Sequence, residues 1–310
     1  MSAMVTWVRS RASGRSAVIG LPYLWLLAFF LLPFLIVLKI SFSEMELVRF
    51  KDMLTFKDNA LQLTVRLGNY FFLTQDDLYF KAYLSSLKYA AVTTALCLAI
   101  GYPFSYFMAR AKATVQPTLV MLVMLPFWTS FLLRVYSWKG LLDENGWVYD
   151  ALIGLHLDQP LMALGVIPAA GRFMHTPFSL TIGMVYTYLP FMILPLYSTL
   201  AKLDLRLLEA ASDLGATPWK AFWLITVPLS KAGIIAGSML VFIPCVGEYV
   251  IPELLGGPQT LMIGRVLWDE FFSNNDWPMA SAVAVVVILL IIVPLAVFNR
   301  YQAELQEKAA

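Results

Sequence analysis

Charge is scarce in this sequence. Only 14% of its 310 residues are Asp, Glu, Lys or Arg, against about a quarter in a soluble domain. Hydrophobic residues make up 60%, and the mean hydropathy is +0.73. A chain this poor in charge cannot dress a water-facing surface, so it reads as an integral membrane protein. Cysteine is rarer still: Cys97 and Cys245 both fall in apolar stretches, which leaves packing as their role and no disulfide framework. The two histidines, His156 and His175, lie far apart without the Cys or acid spacing of a metal site. A net charge of +2 with no basic cluster points away from nucleic acid. No Gly is followed five residues later by Gly-Lys, so the chain lacks the phosphate-cradling loop that would let it bind ATP by that route. No Ser/His/Asp or Cys/His set sits in the apolar stretches, which argues against an intramembrane enzyme. No internal repeat is visible, which argues against a transporter built from two repeated halves.

What the sequence has is long apolar runs. Residues 1–17 carry Arg9, Arg11 and Arg15 and no acid, and they read as a cytoplasmic tail ahead of an uncleaved first helix. A run of 20 residues at 1.5 Å per residue crosses the ~30 Å hydrocarbon layer. On that basis six spans are expected, at about 18–40, 84–109, 117–138, 177–200, 232–251 and 278–298. Within 18–310, Pro126 and Arg134 interrupt the third span, and Pro190 and Pro195 are expected to kink the fourth. Residues 43–83 and 139–176 become external loops, with Trp147–Leu155 as a short interfacial helix. Six spans put both termini in the cytoplasm. Raw Lys and Arg counts tie between the two sides, but the short flanks at 9–15, 110–112 and 202–231 favour this orientation, since long loops weigh little.

The segment 201–231 is a polar interruption between two apolar spans. Leu207, Ala210, Ala211 and Leu214 share a face at helical spacing, while Arg206, Glu209 and Asp213 lie away from it. Gly215 is placed to end that helix in the left-handed conformation, and Thr217-Pro218 reads as N-cap and first residue of the next. A short amphipathic helix of this kind must dock on something.

Glu209-Ala210-Ala211, Gly215, Ile225 and Pro228 stand at the spacing of the E-A-A-x-x-x-G and I-x-L-P loop, with Val227 in place of the usual Leu. In this the chain resembles the permease subunits of type I ABC importers. The resemblance implies an all-α fold of six transmembrane helices with both termini cytoplasmic, in which the loop is cytoplasmic and couples to an ATPase. Glu209 would then be the polar contact, Ala210 and Ala211 the close-approach surface and Gly215 the turn, with Asp213 and Pro228 in the same loop. No cofactor is expected in this chain, ATP and Mg being used by the partner ATPase.

A second set of blocks is more specific. Gly247–Pro258 (Gly-Glu-Tyr-Val-Ile-Pro-Glu-Leu-Leu-Gly-Gly-Pro), Leu261–Val266, Asp276-Trp277-Pro278, Pro126–Phe131 and Asp77–Phe80 are similar to bacterial putrescine/spermidine importer permeases. That likeness runs from about residue 20 onward. It implies a bacterial inner-membrane protein paired with a second, homologous permease subunit, two copies of an ATPase and a periplasmic polyamine-binding protein. Glu248 is a carboxylate at membrane depth. Either it meets a cation in transit, with Tyr249, Trp128 or Tyr136 offering aromatic faces, or it pairs with Arg134 or sits at the outer interface. Gly233-x-x-x-Gly237 admits a close helix either from this chain or from another. Two rival readings are a permease for another small solute and a self-sufficient ion-coupled transporter. The latter needs an intramembrane relay, for which only Arg134 and Glu248 are available.

Overall fold

The computed structural model describes residues 18–46, 49–51, 54–57, 60–63 and 65–309, so the basic tail 1–17 lies outside the described residues. The chain is helical apart from two short hairpins. It divides into two compact units, one holding the described part of Met1–Gln75 with Asp269–Val286, the other Asp76–Trp268 with Val287 onward.

In the first unit α1 (Val18–Ser41) is long and apolar enough to cross a membrane, and none of its apolar stretch is buried. It contains a π-turn, Leu27–Leu31, in which Leu32 N–H reaches back to Leu27 O. Two antiparallel hairpins follow, β1 (Glu44–Glu46) with β2 (Arg49–Lys51), and β3 (Leu54–Lys57) with β4 (Ala60–Leu63). Then comes α2 (Gly68–Gln75). The end of α1 is tied to α2. Ser41 Oγ gives its proton to Leu38 O, so Tyr70 Oη donates to Ser41 Oγ at 2.7 Å, and Asn69 Nδ2 donates to Ser41 O and Ser43 O. The stretch 43–83, expected only as a loop, therefore contains two hairpins and a helix.

The second unit is organised on three helices: α3 (Asp77–Arg110), α8 (Pro177–Leu200) and α11 (Lys231–Val246), each packed on the other two. Between them lie α4 (Gln116–Met124), running into a 3-10 turn Leu125–Trp128, then α5 (Phe131–Leu142), α6 (Trp147–Gly154) and α7 (Asp158–Ala163). After α8 come α9 (Arg206–Asp213) and α10 (Pro218–Leu229). After α11 come α12 (Val250–Leu255) and α13 (Ile263–Trp268). The last helix, α14 (Trp277–Ala309), is divided between the units, residues 277–286 in the first and Val287 onward in the second, and it begins at Asp276, whose carboxylate accepts from Met279 N–H.

The core joins Tyr89, Cys97 and Tyr102 of α3, Leu180, Met184, Met192 and Leu196 of α8, and Val241 and Cys245 of α11. Both cysteines are buried and free. The close approach at Gly233-x-x-x-Gly237 is internal. A Cβ on Gly233 would lie 2.6 Å from Thr199 Oγ1, and one on Gly237 2.8 Å from Met192 Sδ, both on α8. Small residues let two helix backbones meet where apolar lipid supplies no hydrophobic drive.

Among the described residues, four helices are long and apolar enough to cross a membrane: Val18–Ser41, Asp77–Arg110, Pro177–Leu200 and Trp277–Ala296. Two bent pairs, Gln116–Trp128 with Phe131–Leu142 at 88° and Pro218–Leu229 with Lys231–Val246 at 65°, raise the number to six if each is one span. The fourth expected span matches α8 end to end, with Pro190 and Pro195 inside one continuous helix. The others differ. α3 begins seven residues before the expected 84, because Asp76 caps it by accepting from Leu78 N–H and Lys81 pairs with Asp77 one turn on. Those polar turns are helical without being apolar, and apolarity was the criterion for a span. The expected span 117–138 is broken. Pro126 tightens the turn, Thr129 is extended at φ −97° and ψ 150°, and the chain restarts at Phe131. The expected span 232–251 stops at Val246, for reasons that belong to the site.

Candidate functional site

The segment between α8 and α11 is mostly helix. α9 ends in a Schellman motif: Ala216 N–H bonds Ala211 O, Gly215 N–H bonds Ser212 O, and Gly215 has φ +81°. That is the left-handed position expected of it. Thr217 then caps α10, its Oγ1 accepting from Lys220 N–H at 3.4 Å, with Pro218 first in the helix. On α9 only Ala211 is buried, and Glu209, Ala210, Asp213 and Gly215 are exposed. Leu207 and Leu214 are exposed as well, Leu214 at 89%, so the apolar face inferred from spacing is largely uncovered within this chain. Trp219, Trp223 and Leu224 on α10 are exposed as well.

Inside α10 a π-turn spans Phe222–Thr226, where Val227 N–H reaches Phe222 O. The next residue, Pro228, has no N–H, so one wide turn absorbs the missing bond. The π-turn in α1 stands in the same place, two residues before Pro33. Pro228 is exposed, and its effect is on backbone shape. The chain then bends at Ser230. Ser230 Oγ gives its one proton to Val227 O, so Tyr102 Oη on α3 is the donor in the 2.8 Å bond to Ser230 Oγ. Phe222 meets the rings of Tyr102 and Tyr106 edge-on, and the Arg110 guanidinium lies 5.0 Å from the Tyr106 centroid. Buried hydroxyls and rings therefore tie the exposed α9–α10 segment to the three-helix core. Sequence reasoning named Glu209, Ala210, Ala211, Asp213, Gly215 and Pro228 but missed Tyr102 and Ser230, because their pairing joins residues 128 apart.

At the far end of α11 the helix stops at Val246 and the chain turns through Gly247–Tyr249. Glu248 fills the break. Its Oε1 accepts from Val250 N–H at 3.0 Å and Ile251 N–H at 3.4 Å, capping α12, and its Oε2 accepts from Tyr188 Oη at 2.5 Å. Gly264 packs against the same break: a Cβ there would lie 2.5 Å from the carbonyl oxygens of Gly247 and Glu248. Glu253 forms an ion pair with Arg265 at 2.7 Å. Glu248 does not pair with Arg134. Tyr249 stacks on Trp268 with centroids 4.4 Å apart. Trp128, at the break after α4, and Tyr136, on α5, are exposed at 71% and 53%. The structure thus joins Glu248 and Tyr249 at one break and places Trp128 and Tyr136 on other elements. Tyr188, which holds Glu248, was not singled out from the sequence.

The sequence pattern of the family described as binding-protein-dependent transport system inner membrane component matches residues 101–303, which includes α9, α10, α11 and both breaks. The spermidine/putrescine transport system permease protein PotB of Escherichia coli (strain K12) is 38% identical over 284 residues, 92% of this chain and 96% of that protein. The PotB of Haemophilus influenzae is 37% identical over 285 residues, 92% of each chain. Among solved structures, a bacterial alginate ABC transporter in complex with an alginate pentasaccharide-bound periplasmic protein shares the fold. Its TM-score is 0.63 at 14% identity over 96% of both chains. This chain belongs to the family of inner-membrane components of binding-protein-dependent transport systems.

Proposed function

We propose that this chain is the translocation subunit of an ATP-driven importer of polyamines, putrescine and/or spermidine. The observation that carries the cargo is the likeness to spermidine/putrescine permeases across nearly the whole of both chains. The partners follow from the same reading: a second homologous permease subunit, an ATPase dimer that uses ATP and Mg, and a periplasmic polyamine-binding protein. Both termini and the 201–231 segment face the cytoplasm. The uncovered face of α9, with Glu209, Ala210, Ala211, Asp213 and the Gly215 turn, takes the ATPase, and Pro228 shapes the α10 backbone that follows. When the ATPase pair closes it moves α9, and the α10–α11 bend at Ser230 carries that movement to the core. Glu248, Tyr249, Trp128 and Tyr136 contribute to the path as aromatic and anionic groups suited to an ammonium. Because the binding protein selects the cargo, this chain needs no high-affinity site.

The test is uptake of labelled putrescine and spermidine in cells that lack only this chain and have no redundant importer. The wild-type chain restores uptake. Gly215→Asp inserts into the membrane normally but restores none, because a side chain at φ +81° strains the turn that presents α9. Unchanged uptake after deletion removes the polyamine reading, and normal uptake by Gly215→Asp removes the coupling role.

A further inference from the structure

Arg134 stands in the first turn of α5, one turn after the break at Thr129 and Ser130. Its Nε and Nη1 are enclosed and have no hydrogen-bond partner, and among the described residues it forms no ion pair. The carboxylate considered for it from sequence, Glu248, is occupied by Tyr188 and two backbone N–H groups. What Arg134 does have is aromatic: its guanidinium lies 5.8 Å from the Phe127 ring centroid and 5.9 Å from that of Phe131. Those faces hold the cation in place without neutralising it. A membrane-embedded cation is costly unless an anion meets it.

The same residue lines a cavity of about 580 Å³. No acid lines it. Its wall includes Leu133, Trp138, Leu141, Trp147 and Tyr186, with Trp138 set edge-on to Tyr186 at 5.5 Å. Each tryptophan brings an indole N–H, a donor with no acceptor capacity. Leu133 and Trp147 are exposed at 65% and 70%. One cation, donor groups and an apolar floor make a chemistry that fits an amphiphile with an anionic head. Tryptophan and tyrosine collect where acyl chains give way to headgroups.

We propose that this cavity binds an anionic phospholipid from the surrounding bilayer, its phosphate on Arg134 and the tryptophan N–H groups, its acyl chains along Leu133 and Leu141. The site is independent of the cargo. The lipid completes the charge that the chain leaves unpaired and braces the α4–α5 break.

The experiment uses the purified full transporter, reloaded after delipidation with phosphatidylglycerol or phosphatidylcholine and read by native mass spectrometry. The wild type retains phosphatidylglycerol in preference to phosphatidylcholine, and Arg134→Gln loses that retention by about tenfold or more, as expected for a charge-assisted contact. Arg134→Lys keeps the charge without the planar fork and retains an intermediate amount. Should the Gln variant fail to assemble, the Lys variant decides: reduced retention at an unchanged melting temperature supports the site, and unchanged retention overturns it. Equal retention of both lipids by the wild type, or of phosphatidylglycerol by Arg134→Gln, also overturns it. Loss of another subunit from the Gln variant with lipid retention intact overturns it in favour of a protein carboxylate facing Arg134.

Discussion

The two ends of α11 are both breaks, and they are held in different ways. At the Gly247 end a full carboxylate accepts three hydrogen bonds, and Gly264 presses on the backbone from the other side. Ile251 and Leu255 of the short helix that follows are completely buried. At the Ser230 end, among the described residues, the one side-chain hydrogen bond to another helix is the neutral Tyr102–Ser230 pair. The helix leading into it carries a π-turn and a buried Thr226 hydroxyl with no partner, and it is flanked by an uncovered apolar surface. Charge-assisted bonds are roughly twice as strong as neutral ones. One end of the helix is therefore clamped and the other is left able to turn. Under the proposal that α9 takes the ATPase, the soft end lies next to the drive and the stiff end next to Glu248.

The largest effect on this contrast comes from overfilling the clamp. Gly264→Ala puts a methyl 2.5 Å from two backbone carbonyl oxygens, which have no flexible way to yield. It is expected to cost about 3 kcal/mol, the upper part of the range for overpacking, read as a fall in the melting temperature of the purified transporter. A variant as stable as wild type would mean that the Gly247 end is not clamped. Next comes Tyr188→Phe, which removes a donor from the Glu248 carboxylate and is expected to cost about 2 kcal/mol. Combined with Glu248→Gln it should show coupling of the same sign, since both touch one contact. Tyr102→Phe at the other end removes a neutral bond and is expected to cost about 1 kcal/mol or less. If it cost more than Tyr188→Phe, the comparison would invert.

How much of this could be read from residues alone varies with the kind of signal. Gly215 and Thr217-Pro218 were legible, because a helix stop and start are local and each uses a residue type for one backbone conformation. The extent of α8 was legible because its apolar run and its helix coincide. Where they part, reading failed: α3 begins in polar residues, and the apolar run 117–138 hides an 88° bend. The role of Glu248 was open for a different reason. Its partner Tyr188 lies 60 residues away, and a charge in an apolar stretch looks the same from sequence whether it caps a helix or faces a path. Arg134 was equally undecided until the carboxylate considered for it proved to be occupied.

The smallest stability effect, and the one that separates packing from docking, is at Leu214. Its side chain is 89% exposed at the tip of α9, so Leu214→Ser removes almost no contact within this chain and is expected to change stability by no more than about 0.5 kcal/mol. Leu207, Trp219 and Leu224 of the same segment are exposed as well, and exposed apolar residues become meaningful where a partner gathers them into one patch. If the ATPase covers that patch, the variant leaves the melting temperature of the isolated chain unchanged and lowers the amount of ATPase recovered with it. The two readouts must separate. A fall in both would mean that Leu214 supports the fold of α9, and a fall in neither would place the ATPase contact elsewhere on the segment.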